Sequence, residues 1–212
     1  MKNILIFGSG SIGNHMSNAS VSLGCNVSIT DKDPKALKRM KNEIYPKRYK
    51  KWNLNINQIQ YKNVYNIKKK FDLIIVGTPP DSHFEIFNKC KKNLIFNKIL
   101  IEKPISNFQD HRIYDLGKTH KNLKIFCGYN HSVNFSMRYF FDILKNIKKQ
   151  IKAVSINWKE GWDGILGAHP WLINEFDSYL GNYKKGGGSI QEHSHGIHAL
   201  VCILNILKIK KF

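Results

Sequence analysis

Acidic residues are scarce in this chain, with 15 Asp and Glu against 34 Lys and Arg in 212 residues and a formal net charge of +19. Such an excess raises nucleic acid or an anionic membrane as partners. The lysines are spread along the chain among many Asn and Ile, with short clusters only at Lys68 to Lys70 and Lys148-Lys149. That distribution predicts a solvated basic surface and salt-dependent, non-specific polyanion binding, with no specific nucleic-acid partner. Cysteine is equally sparse: Cys25, Cys90, Cys127 and Cys202 form no C-x-x-C pair, which excludes a zinc knuckle or dithiol redox motif. Reduced, mostly buried thiols in a cytoplasmic protein are expected. No apolar run approaches the ~20 residues of a membrane span. No secretory signal is expected, because Gly8 cuts the first apolar run short. Internal repeats and low-complexity linkers are also missing. With 42% hydrophobic residues the chain has core enough for one large or two small domains.

What is present begins at Lys2 to Gly13, KNILIFGSGSIG. Ile4, Leu5, Ile6 and Phe7 form a continuous apolar run, the pattern of a strand buried on both faces of a parallel sheet. Gly8, Ser9, Gly10, Ser11, Ile12 and Gly13 then spell G-x-G-x-x-G. In that motif Gly8 permits the tight turn, Gly10 lets a pyrophosphate approach the backbone, and Gly13 lets the following helix pack closely, its free N–H groups facing the anion. Alone the motif is weak, since glycine turns are common. It gains weight because a second apolar run, Val27 to Thr30, ends at Asp31, 18 residues after Gly13, where a carboxylate would meet the adenosine ribose hydroxyls. Such a carboxylate favours NAD over NADP; the neighbouring Lys32 keeps NADP as the alternative.

Further along, the spacing predicts a helix to about Leu23, the strand Val27 to Thr30, and a helix from Asp33-Pro34 to about Glu43. Tyr45 to Asn57 gives no clear signal, and a third strand is expected around Gln58 to Val64. Asp72 to Val76 is a strand that ends in Gly77-Thr78-Pro79-Pro80, followed by a helix from Asp81 or Ser82 to about Lys92. Lys98 to Glu102 and, after an intervening helix, Leu123 to Tyr129 complete a doubly wound parallel sheet, whose ligands bind off the strand carboxyl ends. Gly8, Asp31, Thr78, Lys103 and Asn130 lie at or just past such ends. Beyond Asn130 the texture changes: a helix to about Ile147, a strand over Ile151 to Lys159 with antiparallel-type alternation, a loop rich in Trp and His, and a final helix after Gly186-Gly187-Gly188. The expected domains are therefore 1–129 and 130–212.

At IEKPIS, Ile101 to Ser106, the chain resembles the glucose-fructose oxidoreductase and inositol dehydrogenase family, Gfo/Idh/MocA. GSGSIG at Gly8, VGTPPDSH at Val76, EKP at Glu102 and GGGSIQEHSHGIH at Gly186 carry the resemblance in the family's order, with GYNHS at Gly128 and AHPW at Ala168. It implies a Rossmann domain followed by an α/β domain with an open, mainly antiparallel sheet, and NAD(P)-dependent hydride transfer at a carbon–oxygen bond of a sugar, polyol or sugar derivative. A small-molecule substrate, no membrane, and a homo-oligomer for full-length members are implied as well. The cofactor contacts implied are Gly8, Gly10, Ser11, Ile12, Gly13, Asp31, Thr78, Pro79, His83, Glu102 and Lys103. Lys103 is implied to sit near the nicotinamide and a substrate hydroxyl, across a Lys103–Pro104 bond that is cis. From residue chemistry alone Lys103 reads as a solvated strand-end lysine.

The family writes its GGG helix with an aspartate and, four residues later, a histidine. Here those positions hold Glu192 and Gly196, whereas a subgroup pattern with S-H one residue earlier makes His195 the catalytic match. At ~100° per residue Ile190, Ile197, Val201 and Leu204 form one stripe, and Glu192 and His195 lie opposite it, facing the cleft. Oxidation of a secondary alcohol needs a base near neutrality, which suits imidazole. His195 is thus read as the base, Glu192 as the residue that orients it, Lys103 as the group stabilising the developing alkoxide, and Tyr129, Asn130, His169 and Trp171 as substrate contacts. His198 remains a competitor for His195. Trp158, Trp162 and Trp171 suit sugar stacking or a core role equally. A metal bound by His193, His195 and His198 is a minor alternative, because on a helix only His195 and His198 point the same way. A dinucleotide-binding protein without catalysis is the other, since the resemblance implies further strands after the GGG helix. One strand at Ile151 to Lys159 makes no sheet, so a competent Rossmann half and a poorly stabilised second half are expected.

Overall fold

In a computed structural model, which describes residues 1–112, 116 and 122–209, the architecture grows from the two-sided burial of the first strand. β1 (Asn3–Phe7) sends Ile4 and Ile6 into one apolar layer with Val27, Ile29, Leu37, Met40 and Ile56. Leu5 and Phe7 enter the opposite layer with Val64, Phe71, Ile74, Ile86, Phe87 and Ile99. A strand apolar at every position therefore needs helices on both faces, which is what a doubly wound sheet provides. β1 pairs in parallel with β2 (Asn26–Asp31) on one side and β5 (Leu73–Val76) on the other. β3 (Ile56–Gln60), β7 (Lys98–Ile101) and β8 (Lys124–Cys127) extend the six-stranded sheet to the order β3-β2-β1-β5-β7-β8. The chain reverses its direction of travel between β1 and β5, and a crevice opens there at the carboxyl ends of the strands. A separate parallel pair joins β4 (Lys70–Phe71) to β6 (Ile95–Phe96).

α1 (Ser11–Ser22) buries Ser11, Gly13, Asn14, Ser17 and Ser20. Small side chains on this face let it approach the sheet closely. Gly8 has φ +95°, and a Cβ on Gly13 would lie 2.0 Å from the Gly8 carbonyl oxygen. Asn14 locks the turn by donating from Nδ2 to the carbonyls of Ser9 and Gly10. Asp33 caps α2 (Pro34–Arg39) by accepting from the Lys35 N–H, and the helix runs on through a π-helical turn at Met40–Ile44 into α3 (Tyr45–Tyr49). The stretch without clear signal is thus organised by rings: Tyr45 is buried, 4.9 Å from Tyr49 and 5.2 Å from Trp52. The third strand starts and ends earlier than 58–64, because Tyr61–Val64 is a short helix, α4, that buries Val64 in the core. Tyr61 and its neighbour Tyr65 flank Phe7. α5 (His83–Asn93) covers the same layer with Ile86, Phe87 and Cys90. The helix expected between Glu102 and Leu123 falls largely outside the described residues.

Past the sheet, α6 (Phe135–Ile147) is capped by Asn134, whose Oδ1 accepts from the Met137 N–H. Ile151 to Lys159 does not form the expected strand. Its alternation is real, but no neighbouring strand among the described residues offers it a ladder. Ile151, Ala153 and Val154 instead line a shallow cleft with Phe140, Ile143 and Ile203. α7 (Trp162–Gly167) follows, and the helix after the glycines is two helices, α8 (Ser189–Glu192) and α9 (His195–Leu207), separated at His193-Ser194. That break rotates α9 away from the single-helix wheel. Ile190 is 76% and Ile197 54% exposed, whereas Gly196, Ala199, Ile203 and Leu204 turn inward. Among the described residues no helix is long and apolar enough to cross a membrane.

Gly13→Ala should be among the most damaging single substitutions here, since backbone has to move to admit the methyl. A loss of about 3 kcal/mol is expected, read as a lower urea midpoint; an unchanged midpoint would show that the glycine turn is not close-packed in solution.

Candidate active site

Two cavities of about 510 and 470 Å³ share Ser11, Ile12, Gly77, Thr78, His169 and Tyr179, and so form one cleft across the strand ends. The outer part is lined by Gly8, Gly10, Asp31, Arg39, Thr78 and Pro79. Gly10 precedes α1 and no side chain caps that end, which leaves its first N–H groups directed at the groove. The Asp31 carboxylate is fixed by the Ser9 N–H at 2.7 Å and the Ser9 hydroxyl at 2.8 Å through Oδ2, and by the Asp33 N–H through Oδ1. Glycine turn, free helix end and anchored carboxylate together suit a dinucleotide's pyrophosphate and ribose.

The inner part holds the titratable groups. Lys103, just past β7 and joined to Pro104 by a cis bond, donates from Nζ to the Glu192 carbonyl at 2.6 Å and to Glu192 Oε1 at 3.1 Å. Both side chains are nearly enclosed, at 13% and 12% exposure. Glu192 therefore holds the lysine and does not orient His195, as the helix spacing had suggested. Its carboxylate is brought there by Gly187, where a Cβ would stand 1.9 Å from the Tyr179 carbonyl oxygen. The glycine run threads against that backbone and delivers α8 to the lysine. His195, at the start of α9, lines the cavity; its Nδ1 is buried with no partner, which leaves Nε2 for the open side. Burial, then the Lys103 ammonium and His131, hold its pKa down at about 4, so the ring is neutral in the cleft and a weaker base than a free imidazole. Glu102, 6% exposed, is pushed the other way by burial, to about 7, with the Lys103 N–H as its hydrogen-bond donor.

Other expected site residues lie elsewhere. His83 is fully buried, with Nε2 2.7 Å from the Thr78 carbonyl and Nδ1 3.0 Å from that of Ile105, and it lines neither cavity. Burial favours its neutral ring, which donates to one of these and braces the two loops at the cleft floor. Tyr129 packs behind the cavity: its ring stacks on His198 at 4.0 Å and its hydroxyl donates to Ser194 Oγ. Asn130 is exposed and lines neither cavity. Trp171 lines the outer part, 3.8 Å from a Cβ built on Gly10 and under the Arg39 guanidinium, while His169 borders both parts. His193 is 2.8 Å from Glu160 Oε2, and no group of three metal-ligating side chains gathers among the described residues. Sequence reasoning missed Tyr179, His131 and Glu160. Tyr179 borders both parts of the cleft, the His131 ring lies 4.4 Å from that of His195, and Glu160 sits on the cavity wall. His131 lies within the GYNHS block, which was the available signal; Tyr179 and Glu160 stand in loops with no local pattern.

With this geometry in view, the match to known proteins is specific. Residues 2–129 match the model of the Gfo/Idh/MocA oxidoreductase family, described as an NAD-binding Rossmann fold. The chain belongs to this family. No curated protein matches. Among solved structures, myo-inositol 2-dehydrogenase from Lactobacillus plantarum has a TM-score of 0.68 at 18% identity, over 95% of this chain and 56% of that one. The WlbA dehydrogenase from Chromobacterium violaceum, in complex with NADH and UDP-GlcNAcA, gives 0.64 at 17%, over 96% and 55%. Scyllo-inositol dehydrogenase from Lactobacillus casei, with NAD(H) and scyllo-inositol bound, gives 0.63 at 17%, over 96% and 56%. These likenesses establish the fold, and the chain spans just over half the length of the proteins it matches.

The two shifted groups make opposite contributions to stability. His195, lowered to about 4 from 6.5, contributes stability that is full above pH 6.5 and lost as pH falls towards 4. Glu102, raised to about 7 from 4.5, contributes stability that is full below pH 4.5 and lost as pH rises through 7. An NMR titration of the histidine ring protons should therefore find His195 still neutral at pH 5.5, and Glu102→Gln should stabilise the protein above pH 7 relative to pH 4.5. A His195 midpoint near 6.5 would show the imidazole to be solvated.

Proposed function

We propose that this chain carries the catalytic half of an NAD-dependent oxidoreductase that transfers a hydride between nicotinamide and a carbon–oxygen centre of a sugar, polyol or sugar derivative. The observation that carries the reading is the Lys103–Glu192 pair beside the open nitrogen of His195, in a cavity that continues into the glycine-turn groove. The residues present suit the cofactor: Gly8, Gly10, Ser11 and Ile12 for the pyrophosphate, Asp31 for the ribose hydroxyls, and Thr78, Pro79 and Trp171 along the groove wall; Gly13, expected as a further contact, is buried behind the turn against Gly8 and lines neither cavity. When bound, nicotinamide supplies the hydride acceptor.

The chain's own residues do the rest. His195 accepts the hydroxyl proton at Nε2, and the Lys103 ammonium stabilises the oxygen as negative charge develops on it. Glu192 holds that ammonium at the cavity wall, while Tyr179 and His169 close the boundary between the cofactor and substrate parts. Asp31 favours NAD, because a 2′-phosphate would meet a carboxylate already fixed by three donors. The relatives with bound inositol and nucleotide-linked sugar acid support the substrate class. We also assign two units, 1–129 and 130–212, which limited proteolysis with NADH present would separate as a protected fragment ending near residue 130.

The direct test is NADH titration by fluorescence, followed by a screen of sugars, polyols and nucleotide-linked sugars for NADH production. Tighter binding of NADPH would reverse the assignment at Asp31. Lys103→Met should leave NADH affinity within about threefold while turnover drops by about 10²-fold or more. His195→Ala should behave likewise, and His198→Ala should be milder, since His198 packs on Tyr129 outside the cavity. A more damaging His198 change would move the base to that residue.

A further inference from the structure

We propose that the inner cavity takes an amine-bearing sugar or polyol, its ammonium held by Glu160, and turns away carboxylate-bearing analogues. The inference rests on reading that cavity as the substrate site. It starts from a contrast of charge. The chain carries +19, yet three carboxylates, Glu102, Glu160 and Glu192, line this cavity with Lys103 as the one cation on its wall among the described residues.

The single cation is already committed, since Lys103 meets Glu192 at 3.1 Å and the Glu192 carbonyl at 2.6 Å. Glu192 is 9% exposed and its Oε2 has no partner, so even the paired carboxylate retains an unmet acceptor. His195, also 9% exposed, leaves Nδ1 unmet and is held neutral by burial, so it adds no positive charge. Burial raises Glu102 to about 7, which leaves it only partly ionised. Glu160 is different. Its side chain is 29% exposed, it accepts from the Trp158 and His193 ring nitrogens, and its pKa is lowered by these bonds against the opposing effect of burial. A carboxylate has about four acceptor positions, so Glu160 keeps room for further donors. Its charge is felt at His195 across the cavity. A sugar acid entering here would bring a carboxylate towards Glu160 and Glu192 with no free cation to meet it. An ammonium brings three donors and the missing charge.

The test compares three hexoses that differ in one group: glucosamine, glucose and glucuronic acid. Their binding to the whole chain is measured by calorimetry at pH 7, with and without saturating NADH. Glucosamine should bind about two- to fivefold more tightly than glucose, the scale of one partly exposed ion pair, and glucuronic acid most weakly. Glu160→Gln removes the charge and keeps one of the two acceptor oxygens that meet Trp158 and His193; it should erase the glucosamine advantage over glucose. Equal or tighter binding of glucuronic acid, an advantage that survives Glu160→Gln, or no binding of any of the three would overturn the proposal. Amine preference without NADH binding would instead overturn the dinucleotide reading and leave this one standing.

Discussion

The nearly enclosed pair of Lys103 and Glu192 is the contact on which the cleft depends. Removing an ammonium and a carboxylate from water is costly, and the attraction between them offsets that cost only when geometry and additional hydrogen bonds are good. Here the ammonium has two acceptors on one residue, a carbonyl and a carboxylate oxygen. The bond joins the end of β7, in the parallel sheet, to α8, some ninety positions later in the chain. Either residue alone would leave an uncompensated charge in a buried place, so the pair ties the second half of the chain to the first in one register. It also bears on its neighbours: the ammonium adds to the effect of burial in lowering the pKa of His195 and opposes the effect of burial at Glu102.

Much of the first half was legible because its signals are local and redundant. A strand apolar at every position needs two covered faces, and Ile4 and Ile6 against Leu5 and Phe7 supply them. The glycine turn could be read from spacing, and its reason is steric, since Gly13 lies against the Gly8 carbonyl. Where reading failed, the deciding contact was distant in sequence. Tyr61 to Val64 carries strand-like residues, but packing of Val64 and the Tyr61 and Tyr65 rings around Phe7 selects a short helix. Ile151 to Lys159 alternates properly and still makes no strand, because pairing is a property of two segments and no partner strand stands beside it among the described residues.

The site shows the same division. Lys103 and His195, both on the cavity wall, stand in motif blocks, whereas the bond between Glu192 and Lys103 spans 89 positions and no periodicity reports it. The wheel placed Glu192 beside His195 by treating 189–207 as one helix. A break at His193-Ser194 gave each residue its own direction, and helical spacing says nothing across a break. Tyr179 and Glu160 were invisible for a related reason, since each is positioned by loop backbone rather than by an element with a period. The glycine run illustrates how such loops are held: Gly187 has room for no side chain against Tyr179, and that tightness places both Tyr179 and Glu192 on the cavity wall.

The two halves are held by different physics. The sheet and its flanking helices contain both continuous apolar clusters, so the first half has the burial that makes a fold self-supporting. Residues beyond 130 carry large exposed apolar side chains on α6, among them Phe135, Tyr139 and Phe140, and meet the first half at several polar and aromatic contacts. Arg48 donates to the Ala168 carbonyl and Ser11 hydroxyl, Arg39 lies over Trp171, and Lys103 reaches Glu192. These contacts border the cleft, while the stacks of Tyr129 on His198 and Phe108 on Tyr183 join the same parts away from it. A ligand that fills the cleft would touch both sides of it and stabilise the folded chain by mass action.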